Sequence, residues 1–239
     1  MTNVRDAAFA RRSVRRKLYC NGDHRKKQRR PGDWAAFCDV QGYVEEACGG
    51  CMGKPLNERS LEELWQLFPI SLVSHRQEWK TWYECEAAAI RSLVPEKTAM
   101  RLSHIGSTAV ANLWAKNIVD LLLEVEDRGN MLTVSDILLD HGWLCMDRKQ
   151  HRISLNKGYT ESGFADRVFH LHLRLWGDND ELYFRDYLRE NPAVAEEYER
   201  RKLALAETFR YHRDGYTAAK SEFVKMYTDI ARKEYGQRY

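Results

Sequence analysis

Long hydrophobic runs are missing from this sequence of 239 residues. No apolar stretch approaches the roughly 20 residues that a membrane-spanning helix requires, which excludes an integral membrane protein of the helical type. The arginines near the N-terminus are not followed by an apolar segment, which excludes the pattern of a secretory signal peptide. We therefore expect a cytoplasmic protein that has no membrane partner.

A consistent excess of one charge is also missing from most of the chain. Residues 1–51 contain eleven Lys and Arg against six Asp and Glu, whereas residues 52–239 contain 27 basic and 29 acidic side chains. The larger part therefore gives no electrostatic argument for nucleic-acid binding. The basic part has few apolar residues and is predicted to be a disordered leader, so nucleic acid would be a partner only through this leader.

Closely spaced cysteines are missing from residues 52–239, where Cys85 and Cys145 lie far apart. Both are expected to be reduced residues of helices or of the core. In the leader, Cys48 and Cys51 have the spacing of half a zinc site, but no second CxxC or HxxxH pair follows them. The sequence therefore does not favour a zinc site there.

Hydrophobic periodicity predicts an α+β domain over residues 52–239, with a small mixed β-sheet flanked by helices and a helical C-terminal part. Ser60 and Glu63 form the pattern of a capping box before a short helix. The other predicted helices cover 75–94, 133–141 and the chain from Asn179 onward, with breaks at Asn191-Pro192 and Asp214-Gly215. The predicted strands lie at about 100–105, 118–125, 143–147, 152–158 and 168–176.

A carboxylate stands at the start of the strongly apolar strand predicted at 118–125. A charged group there costs several kcal/mol unless it is paired or binds a metal. Thirteen residues before Asp120, a turn at Gly106 and Ser107 lets backbone N–H groups approach an anion, because Gly106 has no Cβ. These parts together indicate a metal-assisted phosphate site. The alternative is a structural Asp120 that caps a helix or pairs with Lys116.

Two histidines alternate with apolar residues in the strand predicted at 168–176. Because side chains alternate between the faces of a strand, His170, His172 and Arg174 share one face. Two imidazoles beside a guanidinium suit a metal or a phosphate. The alternative is a partly exposed sheet face with ordinary hydrogen-bonded histidines.

Several motifs of the chain resemble the GrpB-like family, which is part of the nucleotidyltransferase superfamily with the polymerase-β-type palm fold. The resemblance covers about residues 56–234 and implies a small mixed sheet, a Gly-Ser turn entering a helix, and Asp120 on the next strand. The motifs that carry it are, in chain order, EELWQLFPISLVSH, HIGSTAV…AK…VDLLLEV, ISLNKGY, RVFHLHLR, FRDYLRENPAVAEEYE and YTAAKSEFV.

The resemblance implies a nucleotidyltransferase-like enzyme that binds a phosphate-containing ligand together with divalent Mg²⁺ or Mn²⁺. The superfamily pattern places two carboxylates, separated by one residue, after the Gly-Ser turn. Here Asp120 takes the first place and Leu122 the second, so Glu124, on the same face, is the other candidate catalytic carboxylate. Asp120, His170 and His172 are the candidate metal ligands. Family members fused to dephospho-CoA kinase imply a nucleotide or a CoA-related ligand.

Basic side chains are expected to complete the anion pocket around Gly106 and Ser107. The candidates are Lys157, Arg185 and Lys220, of which the last two interrupt apolar helical patterns where the resemblance aligns an Arg and a Lys. Each is alternatively an ordinary salt-bridge partner. The run EEYERRKLALAE is predicted to be a solvated helix face. The alternative function is a non-catalytic ligand-binding or interaction module that retains the fold without the full carboxylate set.

Overall fold

A five-stranded mixed sheet forms the centre of the fold in a computed structural model that describes residues 54–239. Its strands are β1 Ala99–Ile105, β2 Val119–Val125, β3 Leu144–Arg148, β4 Arg152–Thr160 and β5 Gly163–Leu175. Their order across the sheet is β1-β2-β5-β4-β3. β2 and β5 run parallel, and the other neighbouring strands are antiparallel.

Six α-helices accompany this sheet in the described part of the chain. They are α1 Leu61–Leu67, α2 Glu78–Leu93, α3 Arg128–Asp140, α4 Asp180–Glu190, α5 Pro192–Thr208 and α6 Arg213–Tyr235. Two short 3-10 helices, Leu56–Glu58 and Ser107–Ala109, complete the secondary structure. The predicted α+β class with one mixed sheet is therefore confirmed.

One face of the sheet forms the main hydrophobic core. The period of two along each strand turns alternate side chains of β2 and β5 toward α2 and α3, where they are shielded from water. Replacing one such leucine by alanine typically costs about 2–5 kcal/mol. The core includes Leu121, Leu123, Leu171 and Leu173 from the sheet, Trp79 and Ile90 from α2, and Met131, Val134 and Leu138 from α3.

The opposite face of the sheet is polar and faces the C-terminal helices. Asp120 and His170 are direct register partners on β2 and β5, and so are Leu122 and His172. Leu122 fills the apolar gap between the strands and α4 by packing with Leu182. The pleat therefore places the polar side chains of β2 and β5 between the sheet and α4–α6.

Two element boundaries differ from the sequence predictions. α3 begins at Arg128 because Asp127 caps it, accepting a hydrogen bond from the Asn130 amide at 2.9 Å. The break predicted around Asp214-Gly215 exists but lies a few residues earlier, at 209–212, and both residues belong to the first turn of α6. A Cβ on Gly215 would lie 2.7 Å from the Phe209 ring, so this glycine allows close packing at the helix entrance.

The predictions for residues 1–51, including disorder, zinc at the CxxC pair and nucleic-acid binding, lie outside the described residues. The capping box at Ser60 is confirmed: the Glu63 amide donates to Ser60 Oγ at 3.2 Å, and the Ser60 amide donates to the Glu63 carboxylate at 2.6 Å. Within residues 54–239, no helix combines the length and the apolar character needed to cross a membrane.

Candidate functional site

A cleft of about 730 Å³ lies between the polar face of the sheet and α4–α6. Small-molecule sites typically have volumes of about 300–1,000 Å³. The structure brings six of the nine predicted site residues together here: Gly106, Ser107, Asp120, His170, His172 and Lys220. It adds four that the sequence analysis did not select as site residues, namely Lys116, Lys202, Arg213 and Tyr216.

Asp120 lies on β2 against the two histidines of β5. Its Oδ1 is 3.2 Å from His170 Nδ1 and 3.8 Å from His172 Nε2. Burial opposes ionisation of this carboxyl group, but hydrogen bonds and charge interactions with the two imidazoles outweigh burial and hold the pKa of Asp120 well below its usual value. Asp120 is therefore a carboxylate at neutral pH, and its partners are the histidines rather than Lys116.

Gly106 brings the Gly-Ser turn against this carboxylate. Its φ of 71° lies in the region that favours glycine. A Cβ added at this position would lie 3.1 Å from Asp120 Cγ and would collide with Oδ2. The turn and the Oδ2 side of the carboxylate thus meet in the cleft, while Oδ1 faces the histidines.

Backbone amides of the turn are available to an anion. In the 3-10 helix Ser107–Ala109, the amides of Ala109 and Val110 donate to the carbonyls of Gly106 and Ser107, both at 3.2 Å. The amides of Ser107 and Thr108 have no backbone acceptor within residues 54–239. Free amides at such a turn form a concave anion-binding surface.

Lys202 is the main functional candidate that sequence reasoning missed. It belongs to the run predicted to be a solvated helix face, yet only 2% of its surface is exposed. Its Nζ donates to Ser107 Oγ at 3.1 Å and to the Trp114 carbonyl, and lies 4.8 Å from the Tyr198 ring centroid. Burial, together with the charge of Lys220, lowers the pKa of Lys202 to about 7. Its spacing of four residues from Tyr198 was the available signal, because that spacing places it on the inner side of α5.

Lys116, Lys220 and Arg213 add further positive charge to the same wall. Lys116 Nζ and Lys220 Nζ lie 5.8 Å and 5.2 Å from the Tyr216 ring centroid. Burial, followed by repulsion from Lys220 and Arg213, lowers the pKa of Lys116 to about 7. Within the described residues, none of these three cations forms an ion pair with Asp or Glu, and neither does Lys202. The cleft therefore gathers four cations that have no direct carboxylate partner.

Glu124, which was predicted to be a catalytic carboxylate, lies away from the cleft. Its side chain is fully buried, and Oε2 is 2.5 Å from Arg101 Nε. Oε1 accepts hydrogen bonds from the Gly177 amide at 3.1 Å and the Asn179 side chain at 3.2 Å. Both oxygens are therefore engaged in holding β1, β2 and the segment after β5 together.

Lys157 and Arg185, which were predicted to be phosphate ligands, likewise lie outside the cleft. Lys157 is the register partner of Phe169 on the core face, and its Nζ bonds Glu86 on α2 at 2.7 Å. The Arg185 guanidinium donates to Asp186 at 2.6 Å and to the His104 carbonyl at 2.9 Å. Lys157 on β4 and Arg185 on α4 therefore point to structural partners and not into the cleft.

The sequence model of the GrpB protein family matches residues 69–229, a range that includes all the cleft residues named above. The chain belongs to the GrpB family. It is 30% identical to the glutamate-rich protein GrpB of Alkalihalophilus pseudofirmus over 160 residues, which cover 65% of this chain and 91% of that protein. The crystal structure of the conserved protein GrpB from Enterococcus faecalis matches with a TM-score of 0.60 and 31% identity, covering 69% of this chain and 99% of that one.

A further match is the dephospho-CoA kinase of Mycobacterium leprae. It is 27% identical over 158 residues, which cover 54% of this GrpB family chain and 38% of the kinase. The similarity to the kinase concerns part of that longer protein. The family model and the two GrpB proteins confirm the predicted resemblance to the GrpB family.

The cleft of this GrpB family protein offers a metal only a small set of its own ligands. Within residues 54–239, no group of three or more His, Cys, Asp or Glu side chains is arranged to hold a metal ion. Asp120 Oδ2 beside the Gly106 turn is nevertheless suited to a hard cation, since Mg²⁺ sites commonly combine one or two carboxylates with phosphate oxygens and water.

Proposed function

We propose that this GrpB family protein is a nucleotidyltransferase-like enzyme that binds a nucleotide or a CoA-related molecule in the cleft, together with Mg²⁺ or Mn²⁺. The observation that carries the proposal is the convergence of four cations, Lys116, Lys202, Lys220 and Arg213, in a cleft lined by the Gly-Ser turn, whose amides at Ser107 and Thr108 have no backbone acceptor among the described residues. Phosphate is the common biological group that satisfies both features.

The lowered pKa values of Lys116 and Lys202 support an anionic ligand. Crowded, partly dehydrated ammonium groups are unfavourable, so each loses its proton more readily than a free lysine. A phosphate between them would neutralise the repulsion and restore both protons. The cost of gathering these charges in the free protein is thus offset when the ligand binds.

Asp120 is the residue that would hold the divalent cation, through Oδ2 on the side of the turn. Bound there, the metal would supply neutralisation of phosphate charge. The chain itself orients the carboxylate through His170 and His172, and Lys202 fixes the Ser107 hydroxyl next to it. The match to part of a dephospho-CoA kinase supports the inclusion of CoA precursors among the ligands.

A non-catalytic ligand-binding module is the second candidate function. It is favoured by the position of Glu124, whose two oxygens are already engaged, and by the apolar Leu122 at the place of the second carboxylate. Asp120 is then the one carboxylate of the predicted pair that reaches the ligand.

A thermal-shift panel of nucleotides and CoA precursors, with and without Mg²⁺ or Mn²⁺, tests the proposal. A ligand at about 100 times its Kd adds about 2.7 kcal/mol to the free energy of unfolding. We expect a phosphate-containing compound to give this shift in the wild type and in Lys157→Met, and to lose it in Lys220→Met. A shift that requires the metal supports the enzyme, and a metal-independent shift supports the binding module. Equal shifts in both lysine variants would contradict binding in the cleft.

A further inference from the structure

Each histidine of the cleft has a hydrogen-bonding partner on the ring nitrogen that faces away from Asp120. His172 Nδ1 lies 3.0 Å from Nη2 of Arg174, and His170 Nε2 lies 2.8 Å from the Tyr159 hydroxyl. These partners determine where the hydrogen of each imidazole resides, because a neutral imidazole has one donor and one acceptor nitrogen.

The partner of His172 leaves only one tautomer. A guanidinium has five donors and no acceptor, so Nδ1 of His172 must accept the hydrogen bond from Arg174. The hydrogen of His172 therefore resides on Nε2, the nitrogen that faces Asp120 Oδ1 at 3.8 Å. Arg174 is itself buried and is held in place by Glu181 at 3.5 Å.

The partner of His170 leads to the opposite tautomer. Asp120 can only accept, so the ring hydrogen belongs on Nδ1 and Nε2 accepts from the Tyr159 hydroxyl, whose oxygen in turn accepts from Arg213 at 3.3 Å. Nδ1 then carries the ring hydrogen and donates it to Asp120 Oδ1 at 3.2 Å. Both ends of the His170 ring favour this tautomer, because the other one would place the lone pair of Nδ1 against the Asp120 carboxylate.

We infer that His170 and His172 are locked in opposite tautomers, His170 donating to Asp120 through Nδ1–H and His172 turning its Nε2–H toward the same carboxylate, and that neither is a metal ligand. Tyr159, Arg213 and Arg174 are positioning residues that fix these tautomers. Both imidazoles are directed to Oδ1 of Asp120, which leaves Oδ2 for whatever enters the cleft. A cation held there has oxygen ligands and belongs to the hard class of Mg²⁺ and Mn²⁺ rather than to Zn²⁺ or Ni²⁺.

The tautomers are tested by long-range ¹H–¹⁵N correlation of the full chain labelled on histidine nitrogen, without ligand or metal. We expect the Nδ1–H form for His170 and the Nε2–H form for His172, assigned with His170→Asn and His172→Gln. Finding both histidines in the same tautomer, or either ring exchanging between forms, would overturn the inference. This part does not depend on the proposed function.

Tyr159→Phe tests the positioning role. Removal of the hydroxyl takes away the donor to Nε2, so the Nε2–H form of His170 should gain population against the remaining pull of Asp120, while His172 keeps its form. Tyr183→Phe is the matched control, because Tyr183 also loses a buried hydrogen bond, from its hydroxyl to the Gly236 carbonyl at 2.9 Å. Arg213→Met provides a second variant that acts on the same hydroxyl. Unchanged His170 spectra in both Tyr159→Phe and Arg213→Met would refute the role.

The choice of cation rests on the proposed function and is tested separately, by Mn²⁺ binding with pyrophosphate followed by electron paramagnetic resonance. His170→Asn and His172→Gln each keep an N–H donor, so Mn²⁺ affinity should change by less than about tenfold, whereas Asp120→Asn should abolish binding. Loss of Mn²⁺ binding in the histidine variants, or Zn²⁺ ligation seen in the nitrogen spectra, contradicts the inference. If the wild type shows the expected tautomers but does not bind Mn²⁺, the proposed function and the cation assignment are refuted. The tautomer inference is still supported in that case.

Discussion

Gly106 is the residue at which backbone conformation and side-chain packing meet in the cleft. We expect Gly106→Ala to lower the free energy of unfolding by more than the roughly 1–2 kcal/mol that a positive φ costs alanine, because its Cβ also collides with Asp120. Urea denaturation measures the effect. Gly142→Ala is the control, since Gly142 has a φ of 86° and no atom within 4 Å of its Cβ position. Equal losses in the two variants would show that the close approach to Asp120 is unimportant.

Lys116 is a cleft residue that we expect to destabilise the ligand-free protein. It is partly buried and faces Lys220 and Arg213, and no Asp or Glu among the described residues forms an ion pair with it. Lys116→Met should therefore raise the free energy of unfolding of the ligand-free protein by about 0.5–2 kcal/mol at pH 6 and weaken binding of the phosphate ligand. Thermal unfolding and ligand titration check the two effects. A variant that is both less stable and unchanged in binding contradicts the role given to this lysine.

At the scale of elements, the buried pair of Arg101 and Glu124 connects β1, β2 and the segment after β5. Glu124→Gln should cost about 1–3 kcal/mol, because it leaves the partly buried guanidinium of Arg101 without its charged partner. Ligand affinity at a temperature where the variant is folded should be unchanged. Glu197→Gln on α5, which breaks an exposed pair with Arg201, is the control and should cost less than about 1 kcal/mol. Selective loss of ligand binding in Glu124→Gln, with stability retained, would restore Glu124 as a catalytic candidate.

The elements themselves were largely predictable, because strand alternation and capping depend on local sequence. The strand around Asp120 and the strand around His170 were predicted to share a sheet, and their register partners are those same two residues. Lys157 was misplaced because a single-residue choice of strand face decides whether a side chain meets α2 or the cleft. Lys202 was missed because the many charges around it were taken to indicate a solvated face, although its spacing from Tyr198 places it on the inner side of α5.

At the scale of the whole molecule, four partly or fully buried basic side chains change stability with pH in the same direction. Burial lowers the pKa of His104 and of His170 to about 4, and that of Lys116 and Lys202 to about 7. The unfolded chain therefore binds more protons between pH 4 and 6.5 and again between pH 7 and 10. The free energy of unfolding should rise with pH across both windows, by at most about 1.4 kcal/mol per unit for each group.

Urea denaturation of the ligand-free protein at a series of pH values tests this dependence. Above pH 7 the slope should be smaller in Lys116→Met, which lacks one of the two lysines. A slope that is the same in this variant, or a stability that falls between pH 7 and 10, contradicts the lowered lysine pKa values. Saturating phosphate ligand should flatten the same window, because it restores the protons of both lysines.

The parallel pairing of β2 with β5 has a consequence for the order in which the protein assembles. Asp120 and His170 are neighbours in space, but α3, β3 and β4 all lie between them in the chain. Pairings of this kind form slowly, because the chain loses the entropy of closing the long loop before the stabilising contact forms. During synthesis the carboxylate therefore emerges long before its imidazole partners, and the cations of α5 and α6 emerge later still. A nascent chain has the turn and the carboxylate first, and the anion site only after α6 has docked.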